Sequence, residues 1–153
     1  MSDGTPTIRT VRAELHDLDA LVPLFEGYRA FYGGSGEPER ARAFLADRLT
    51  RGESVIFLVV IDGSVVGFTQ LYPSYSSVSM RRLWILNDLF VAPDRRGSGA
   101  GRALLERGER WAAETGSKGL ILATQVANTR AQRLYERCGW TRDEEFAHYS
   151  RSL

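Results

Sequence analysis

One segment constrains the fold more than any other: an apolar strand that leads through a glycine-rich loop into a helix. Residues 89–91 are apolar, and residues 97–101 hold three glycines ahead of a helical pattern. Glycines let backbone N–H groups converge, and a helix N-terminus adds unpaired donors and the positive end of a dipole. The segment therefore predicts an anion site suited to a pyrophosphate, with positive charge added by Arg95, Arg96 and Arg102.

Three nucleotide-binding patterns compete for this loop. A P-loop requires a Lys after the glycines, and none is present. In a dinucleotide fingerprint the third glycine would come one residue later, and an acidic residue would close a strand near Leu122. The third pattern, Arg-x-x-Gly-x-Gly, matches Arg96, Gly99 and Gly101. A glycine-rich helix start that binds no ligand is the remaining alternative.

Hydrophobic periodicity predicts a mixed α/β sheet in a single domain over residues 7–153, after a flexible tip at 1–6. The Asp62-Gly63 pair between two β-branched runs predicts a hairpin. Strands are expected at 7–12, 54–61, 64–72, 81–91 and 120–124, with two short ones at 140–141 and 146–151. Helices are expected from Asp17 to Tyr32, from Pro38 to about Arg51, from the glycine loop to about Thr115, and from Asn128 to Arg137. Residues 73–79 are expected to form a loop.

Composition excludes several classes of protein. The 153 residues carry a net charge of +1, from 20 basic and 19 acidic side chains, so a global nucleic-acid footprint is absent. One cysteine, Cys138, rules out an intrachain disulfide, and with two distant histidines it predicts no Cys/His zinc site and no metal. The longest apolar run, 55–61, is too short to span a bilayer, and no signal pattern begins the chain. We expect a cytoplasmic protein.

Two blocks resemble a known family. Residues 89–101 follow Leu-x-Val-x-Pro-x-x-Arg-Gly-x-Gly-x-Gly, which resembles the acyl-coenzyme A loop of the GNAT superfamily of N-acyltransferases. Residues 128–140 follow Asn-x-x-Ala-x-x-Leu-Tyr-x-x-x-Gly-Trp, which is similar to a later helix of that family. The resemblance implies a GNAT-like fold with six to seven strands and about four helices. Segments 28–32, 85–91 and 149–151 resemble the histone/polyamine and diamine acetyltransferase branch.

The resemblance also implies a co-substrate, acetyl-CoA, and a set of residues that bind it. They lie on the strand end, the glycine loop and the later helix: Leu89, Phe90, Val91, Arg96, Gly97, Ser98, Gly99, Ala100, Gly101, Arg102 and Asn128. Tyr135 would place its hydroxyl by the thioester sulfur and act as the general acid. Family likeness further implies a homodimer, which would also cover the edge of the predicted C-terminal strand.

The acceptor side is predicted from side-chain chemistry. An amine nucleophile must lose a proton, and Asn87 stands where related diamine acetyltransferases tend to carry Glu. Asp88 is a catalytic candidate, or an anchor for a cationic substrate, but strand alternation places it on the opposite face from Asn87. Residues 28–36 are expected to form a lid over the acceptor pocket. Asn87 and five aromatic residues are expected to line this pocket: Tyr28, Phe31, Tyr32, Tyr72 and Trp84.

These inferences favour an N-acetyltransferase that transfers an acetyl group from acetyl-CoA to a primary amine by direct attack. The amine is a small amine, a polyamine or a lysine side chain, and neither nucleic acid nor membrane is expected as a partner. Two other hypotheses stay open at this point. One is a non-catalytic acyl-CoA-binding regulatory module, and the other is a different nucleotide enzyme that uses the glycine loop.

Overall fold

The computed structural model describes residues 4–34 and 36–153, and it confirms the predicted α/β class. The strands are β1 (Ile8–Arg12), β2 (Val55–Ile61), β3 (Ser64–Ser76), β4 (Arg81–Val91) and β5 (Leu120–Ile121). The α-helices are α1 (Leu18–Phe31), α2 (Pro38–Thr50), α3 (Ala100–Glu114) and α4 (Thr129–Arg137). In the described part of the chain, no helix is long and apolar enough to cross a bilayer.

The chain groups into two compact units. One ends at Ala123 and contains the sheet with α1, α2 and α3; the other runs from Thr124 to Leu153 and contains α4. A single domain over 7–153 stays a prediction. So does the flexible tip at 1–6, of which residues 1–3 lie outside the described residues.

The sheet is mixed and has the order β1-β2-β3-β4-β5. Neighbouring strands from β1 to β4 are antiparallel, whereas β5 runs parallel to β4 and pairs with it only at Trp84 and Ile85. The Asp62-Gly63 hairpin is confirmed, with φ of 49° and 82° at the two turn residues. These are the positive values that such a two-residue turn requires.

In the part of the chain that the structure describes, the sheet has five strands, fewer than the six to seven expected. The strands predicted at 140–141 and 146–151 are wrong, since both segments are irregular. Here the Asp143 carboxylate accepts hydrogen bonds from the amides of Glu145 and Phe146, at 2.9 and 3.2 Å. Such local side-chain bonds fold the backbone into a turn and compete with strand pairing.

Strand β3 continues through residues 73–76, where the sequence predicts a loop. Pro73 lies opposite Trp84, whose own N–H points the other way and donates to Gly119 O at 3.2 Å. The Pro73–Trp84 pair is therefore one that exchanges no backbone hydrogen bonds, so the missing N–H of proline leaves the ladder intact.

Strand β2 is buried on both faces and carries the core on each side of the sheet. Ile56 and Leu58 pack in the cluster that includes Leu21 of α1 and Leu45 of α2. The alternate residues pack in a second cluster that includes Leu104 of α3: Val55, Phe57, Val59 and Ile61. A strand covered on both faces needs a continuous apolar run, which is what residues 55–61 supply.

Candidate active site

The glycine loop forms a helix start with the geometry of an anion site. Gly97 and Gly99 have φ of +80° and +91°, at which the backbone of any residue with a side chain is strained. The first helical hydrogen bond of α3 runs from Ala103 N to Gly99 O at 3.0 Å, and Ala100 N donates to Ser98 Oγ at 3.4 Å. The positive end of the helix dipole therefore lies at the glycine loop. No acidic side chain lies in the first turn of α3. These features fit the pyrophosphate of coenzyme A.

Two of the arginines flank this helix start. The Nε of Arg96 donates to Val91 O at 3.3 Å, and its guanidinium lies 5.7 Å from the ring centre of Phe90. Arg102 Nε donates to Glu106 Oε1 at 2.9 Å along α3. Arg96 is thus held beside the end of β4, where the sequence predicts it to serve the loop.

One edge of β4 is available to an extended ligand beyond the end of β5. Ala92 N donates to Val66 O of β3 at 2.8 Å, and residues in an antiparallel strand alternate in the direction of their hydrogen-bonding groups. The N–H and C=O groups of Leu89 and Val91 therefore point away from β3. Because β5 pairs with β4 only at Trp84 and Ile85, the N–H and C=O of Leu89 and the N–H of Val91 suit the amide-rich pantetheine arm, whereas Val91 O already accepts from Arg96 Nε.

A β-bulge at Asn87 decides the direction of the catalytic candidates. Gln70 pairs with Asp88 and Leu71 with Leu86, so Asn87 is an extra residue on β4. The expectation that Asn87 and Asp88 face opposite sides is wrong, because Asn87 Nδ2 donates to Asp88 Oδ1 at 2.7 Å. A strict alternation does not hold across a bulge.

Asp88 is a nearly buried carboxylate, with 2% of its surface exposed. Besides the bond from Asn87, its Oδ2 accepts from Gln70 Nε2 at 2.6 Å. Burial raises the pKa of Asp88, against the lowering effect of its hydrogen bonds from Asn87, Gln70 and Tyr28. Within residues 4–34 and 36–153, no Lys, Arg or His forms an ion pair with Asp88. The carboxylate has donors but no cation.

Tyrosines from α1 and β3 surround this carboxylate. Tyr28 donates from its hydroxyl to Asn87 O at 3.2 Å, and its ring lies 5.1 Å from that of Tyr32. The pKa values of both phenols are raised by burial and then by the Asp88 charge. The same two causes raise the pKa of Tyr72 to about 12. All three stay neutral hydroxyl donors at physiological pH.

Close packing of α1 on β4 brings Tyr28 to this position. A Cβ on Gly27 would lie 2.8 Å from the end of the Phe90 ring, so the helix approaches the strand at a residue with no side chain. At the end of α1, Phe31 and Tyr32 lie 5.1 Å apart, with 52% and 46% of their surfaces exposed. The structure therefore groups Tyr28, Phe31 and Tyr32 beside Asn87 and Asp88, and we call this group of residues the acceptor mouth.

Trp84 lies elsewhere. Only 5% of it is exposed, its indole Nε1 donates to Thr115 Oγ1 at 2.8 Å, and it packs against Trp111 in the α3-side core. The bulge again explains the difference. Because it inserts one residue, the side chains of Trp84 and Asp88 point to opposite faces of the sheet, although the two residues are an even number apart. The sequence groups Trp84 with the acceptor pocket; the structure does not.

The segment predicted as a lid is tied to α1 by charges. Arg29 contacts Glu26 at 2.7 Å and Glu37 at 2.8 Å, and Glu37 N donates to Glu26 Oε2 at 2.6 Å. Ser35, within that lid, lies outside the described residues. The two carboxylates nearest the tyrosines in sequence are thus already paired with a cation.

The second unit holds Asn128 and Tyr135 on α4. Asn128 Oδ1 accepts from Ala131 N at 3.2 Å and caps the helix, and Tyr135 follows two turns later on the same face. The Tyr135 ring lies 6.3 Å from that of Trp140. Gly139 ends the segment with φ of +88°, which lets Trp140 N donate back to Tyr135 O at 3.0 Å.

Gln70 is a site residue that the sequence analysis missed. It is fully buried, and its Oε1 has no hydrogen-bond partner among the described residues. The available signal was a long polar side chain inside the apolar stretch of β3, since glutamine is rarely buried without a role for its amide. No group of three or more His, Cys, Asp or Glu side chains that could hold a metal occurs among residues 4–34 and 36–153.

Comparisons with known proteins identify the family. The acetyltransferase (GNAT) family matches residues 21–140. An uncharacterized N-acetyltransferase of Bacillus subtilis, YhfO, is 46% identical over 138 residues, which are 90% of this chain and 93% of that protein. The crystal structure of a probable acetyltransferase superposes with a TM-score of 0.90 at 44% identity, covering 95% of this chain and 97% of the other.

A more distant structure shares the fold alone. The aminoglycoside N-acetyltransferase AAC(6')-Iy, solved in complex with CoA, superposes with a TM-score of 0.83 at 18% identity and full coverage of both chains. The extent of the family match and the 46% identical relative are decisive. The chain belongs to the GNAT family and is an acetyltransferase.

Proposed function

We propose that the protein transfers an acetyl group from acetyl-CoA to a primary amine. One observation carries this: a single strand, β4, leads from a buried carboxylate at Asp88 to an anion-binding helix start at Gly99. The first suits an amine and the second a pyrophosphate. The acceptor class spans small amines, polyamines and lysine side chains.

The residues that would hold coenzyme A follow from the fit of the glycine loop and the open edge of β4. Backbone amides between Gly97 and Gly101 would bind the pyrophosphate, with Arg96 and Arg102 beside them. Leu89 and Val91 would pair with the pantetheine arm. The family resemblance, not this fit, implies that Asn128 would lie near that arm. Bound acetyl-CoA supplies an activated thioester whose acetyl carbon accepts the amine nitrogen.

Side chains of the protein would take part in two proton transfers, one from the substrate ammonium and one to the leaving sulfur. An amine with a pKa near 10.4 is only about one part in a thousand neutral near pH 7.4, so the ammonium must give up a proton. Asp88 is the proposed acceptor, and because so little of it is exposed, the proton would pass through the Tyr28 hydroxyl that contacts it. The neutral nitrogen then forms the carbon–nitrogen bond as the carbon–sulfur bond breaks, and the second N–H proton that it loses passes to solvent.

The second transfer takes a proton to the leaving sulfur. Tyr135 would donate it from its hydroxyl and regain one from solvent. A backbone N–H of the Leu89–Val91 segment would polarise the thioester carbonyl. The net change is an amide, a free thiol and one proton released.

A finer proposal is that the protein belongs to the histone/polyamine and diamine acetyltransferase branch of the family. It is supported by segments 28–32, 85–91 and 149–151, and it is weakened at Asn87, where a proton acceptor would be expected. In this chain the bulge brings Asp88 beside Asn87, so a carboxylate is still present at this point of β4.

The test is release of the CoA thiol from acetyl-CoA against polyamines, aryl and alkyl amines, amino acids, aminoglycosides and lysine peptides. We expect turnover with one of these classes, and slower turnover for Asp88→Asn. Tight CoA binding without thiol release for any acceptor would contradict transfer to an amine. Binding of ATP or NAD in preference to CoA would contradict the assignment of the loop.

A further inference from the structure

The charges around the acceptor mouth specify which amines the protein takes, an inference that rests on the proposed function. Among the described residues, Asp88 is the carboxylate whose charge raises the pKa values of Tyr28, Tyr32 and Tyr72. Glu26 and Glu37 belong to the ion-paired cluster with Arg29, and Arg40 lies 3.2 Å from Glu37. Their charge is cancelled locally, whereas Asp88 has no cationic partner among residues 4–34 and 36–153.

A positive side chain also borders the site. Arg48 of α2 lies close enough to Tyr72 for its charge to lower the pKa of that phenol, against the raising effects of burial and of Asp88. The Arg48 guanidinium lies over the Phe44 ring at 4.6 Å and 3.2 Å from Glu53. Because Glu53 already pairs with Arg48, this side of the site offers a second ammonium a paired carboxylate and not an uncompensated one.

The groups at the mouth suit one ammonium and an apolar body. Asn87 is exposed and turns its Nδ2 toward Asp88, so its Oδ1 is the atom presented to a ligand. The exposed Phe31 and Tyr32 rings offer aromatic faces, which attract a cation and pack against hydrocarbon. Gln70 is fully buried and donates its Nε2 to Asp88, so it adds no charge of its own to this site.

We propose that the acceptor is a primary amine with a single positive charge and an apolar body, bound at Asn87 and the α1 aromatic residues with Asp88 as its counter-charge. This narrows the proposed acceptor class, because polyamines and aminoglycosides, which carry several ammonium groups, are then poor substrates. Their additional charges would lose water without gaining a carboxylate. The resemblance to the polyamine and diamine branch would not extend to its acceptors.

Matched amines test this with the full chain. Thiol release is measured with hexylamine against 1,6-diaminohexane, and with 2-phenylethylamine against spermidine and kanamycin. We expect kcat/KM to be about tenfold or more higher for the monoamine of each set, the factor that corresponds to one lost charge contact. A diamine or aminoglycoside that equals or exceeds the monoamine overturns the charge inference and leaves amine acetylation standing. No turnover with any amine overturns the proposed function and this inference together.

Two further measurements separate recognition from folding. Calorimetric titration with hexylamine, without acetyl-CoA, should show binding that Asp88→Asn weakens and the exposed control Asp47→Asn retains. Tyr32→Glu adds a carboxylate at an exposed position, so the ratio of kcat/KM for the diamine to that for the monoamine should rise several-fold. Equal hexylamine affinity in Asp88→Asn, or an unchanged ratio in a folded Tyr32→Glu protein, would contradict the single-charge site.

Discussion

Gln70 donates its side-chain amide to Oδ2 of Asp88 over 2.6 Å, across the β3–β4 pairing and next to the bulge. Both side chains are almost wholly buried, and the carboxylate has no cationic partner among the described residues. An ionised carboxylate in such surroundings lowers the stability of the folded state, because its lost hydration is only partly replaced. The fold keeps a costly group where the chemistry is proposed to occur.

Replacing Asp88 by Asn is therefore expected to stabilise the protein near pH 8. The exposed Asn87 can turn its carboxamide to accept from the new amide, so the substitution loses no buried hydrogen bond. We expect a gain on the order of 1 kcal/mol in the free energy of unfolding, or about 2–4 °C in Tm.

The gain should depend on pH. Since the folded pKa of Asp88 is raised above 3.8, the protonated form stabilises the wild type at low pH, and this stability is lost as pH rises from about 3.8 through the folded pKa. Urea melts between pH 4 and pH 8 should show the two proteins converging at the acid end. The exposed Asp47→Asn serves as control, and a destabilised Asp88→Asn protein at pH 8 would contradict this account.

Gly99→Ala is expected to damage the anion site more than the core. A Cβ there would have room, since its nearest neighbour is Ile8 Cδ1 at 3.6 Å, but φ is +91°. The backbone strain should cost about 1 kcal/mol of stability, and shifting the start of α3 should weaken CoA binding about tenfold.

Gly119→Ala is the matched control for this change. Its Cβ would meet nothing within 4 Å, and its φ is outside the left-handed region, so its stability should change by about 0.5 kcal/mol or less. Denaturant melts and calorimetric CoA titration measure both proteins. Equal CoA affinity in Gly99→Ala and wild type would show that the loop conformation is not needed for binding.

Local signals predicted most of the fold. The apolar run 55–61 and the Asp62-Gly63 pair specify a buried strand and its turn, and the structure has both. The glycine loop and the start of α3 were predictable for the same reason. Glycines that allow positive φ stand directly before the residues of the helical pattern. β3 was predicted too short, since a proline is compatible with a strand only in a pairing register that the sequence does not show.

The direction of Asp88 could not be predicted from alternation. A bulge inserts one residue, and whether it falls at Asn87 is decided by how β3 and β4 pair over their whole length. The same single residue separates Trp84, in the α3-side core, from the acceptor mouth. Gln70 became a site residue only once its partner across the sheet was known.

Trp84→Phe is expected to lower stability without altering acceptor recognition. The change removes the indole bond to Thr115 Oγ1 and leaves that hydroxyl with its α3 carbonyl acceptors, so the loss should be about 1–2 kcal/mol. KM for the amine should stay within about twofold. Tyr28→Phe should show the reverse, with reduced kcat/KM and nearly unchanged Tm. A raised amine KM in Trp84→Phe would return Trp84 to the pocket.

Self-association is expected from family likeness alone. The further argument from an exposed C-terminal strand no longer applies, because residues 140–153 form no strand. Sedimentation of the full chain should give twice the 17.1 kDa chain mass at working concentration. A mass near that of one chain would refute the homodimer.

Tyr135→Phe tests the assigned general acid. Removing the hydroxyl leaves the ring contact with Trp140 and the α4 backbone in place, and a thermal melt of the variant checks that it is folded. We expect kcat to fall about 100-fold, the usual scale for loss of a positioned acid, and the Kd for CoA to stay within about twofold. Tyr149→Phe, at a side chain that is 96% exposed, is the control and should match wild type. Full turnover by Tyr135→Phe would mean that the leaving sulfur takes its proton from another donor, while the assignment to the family would stand.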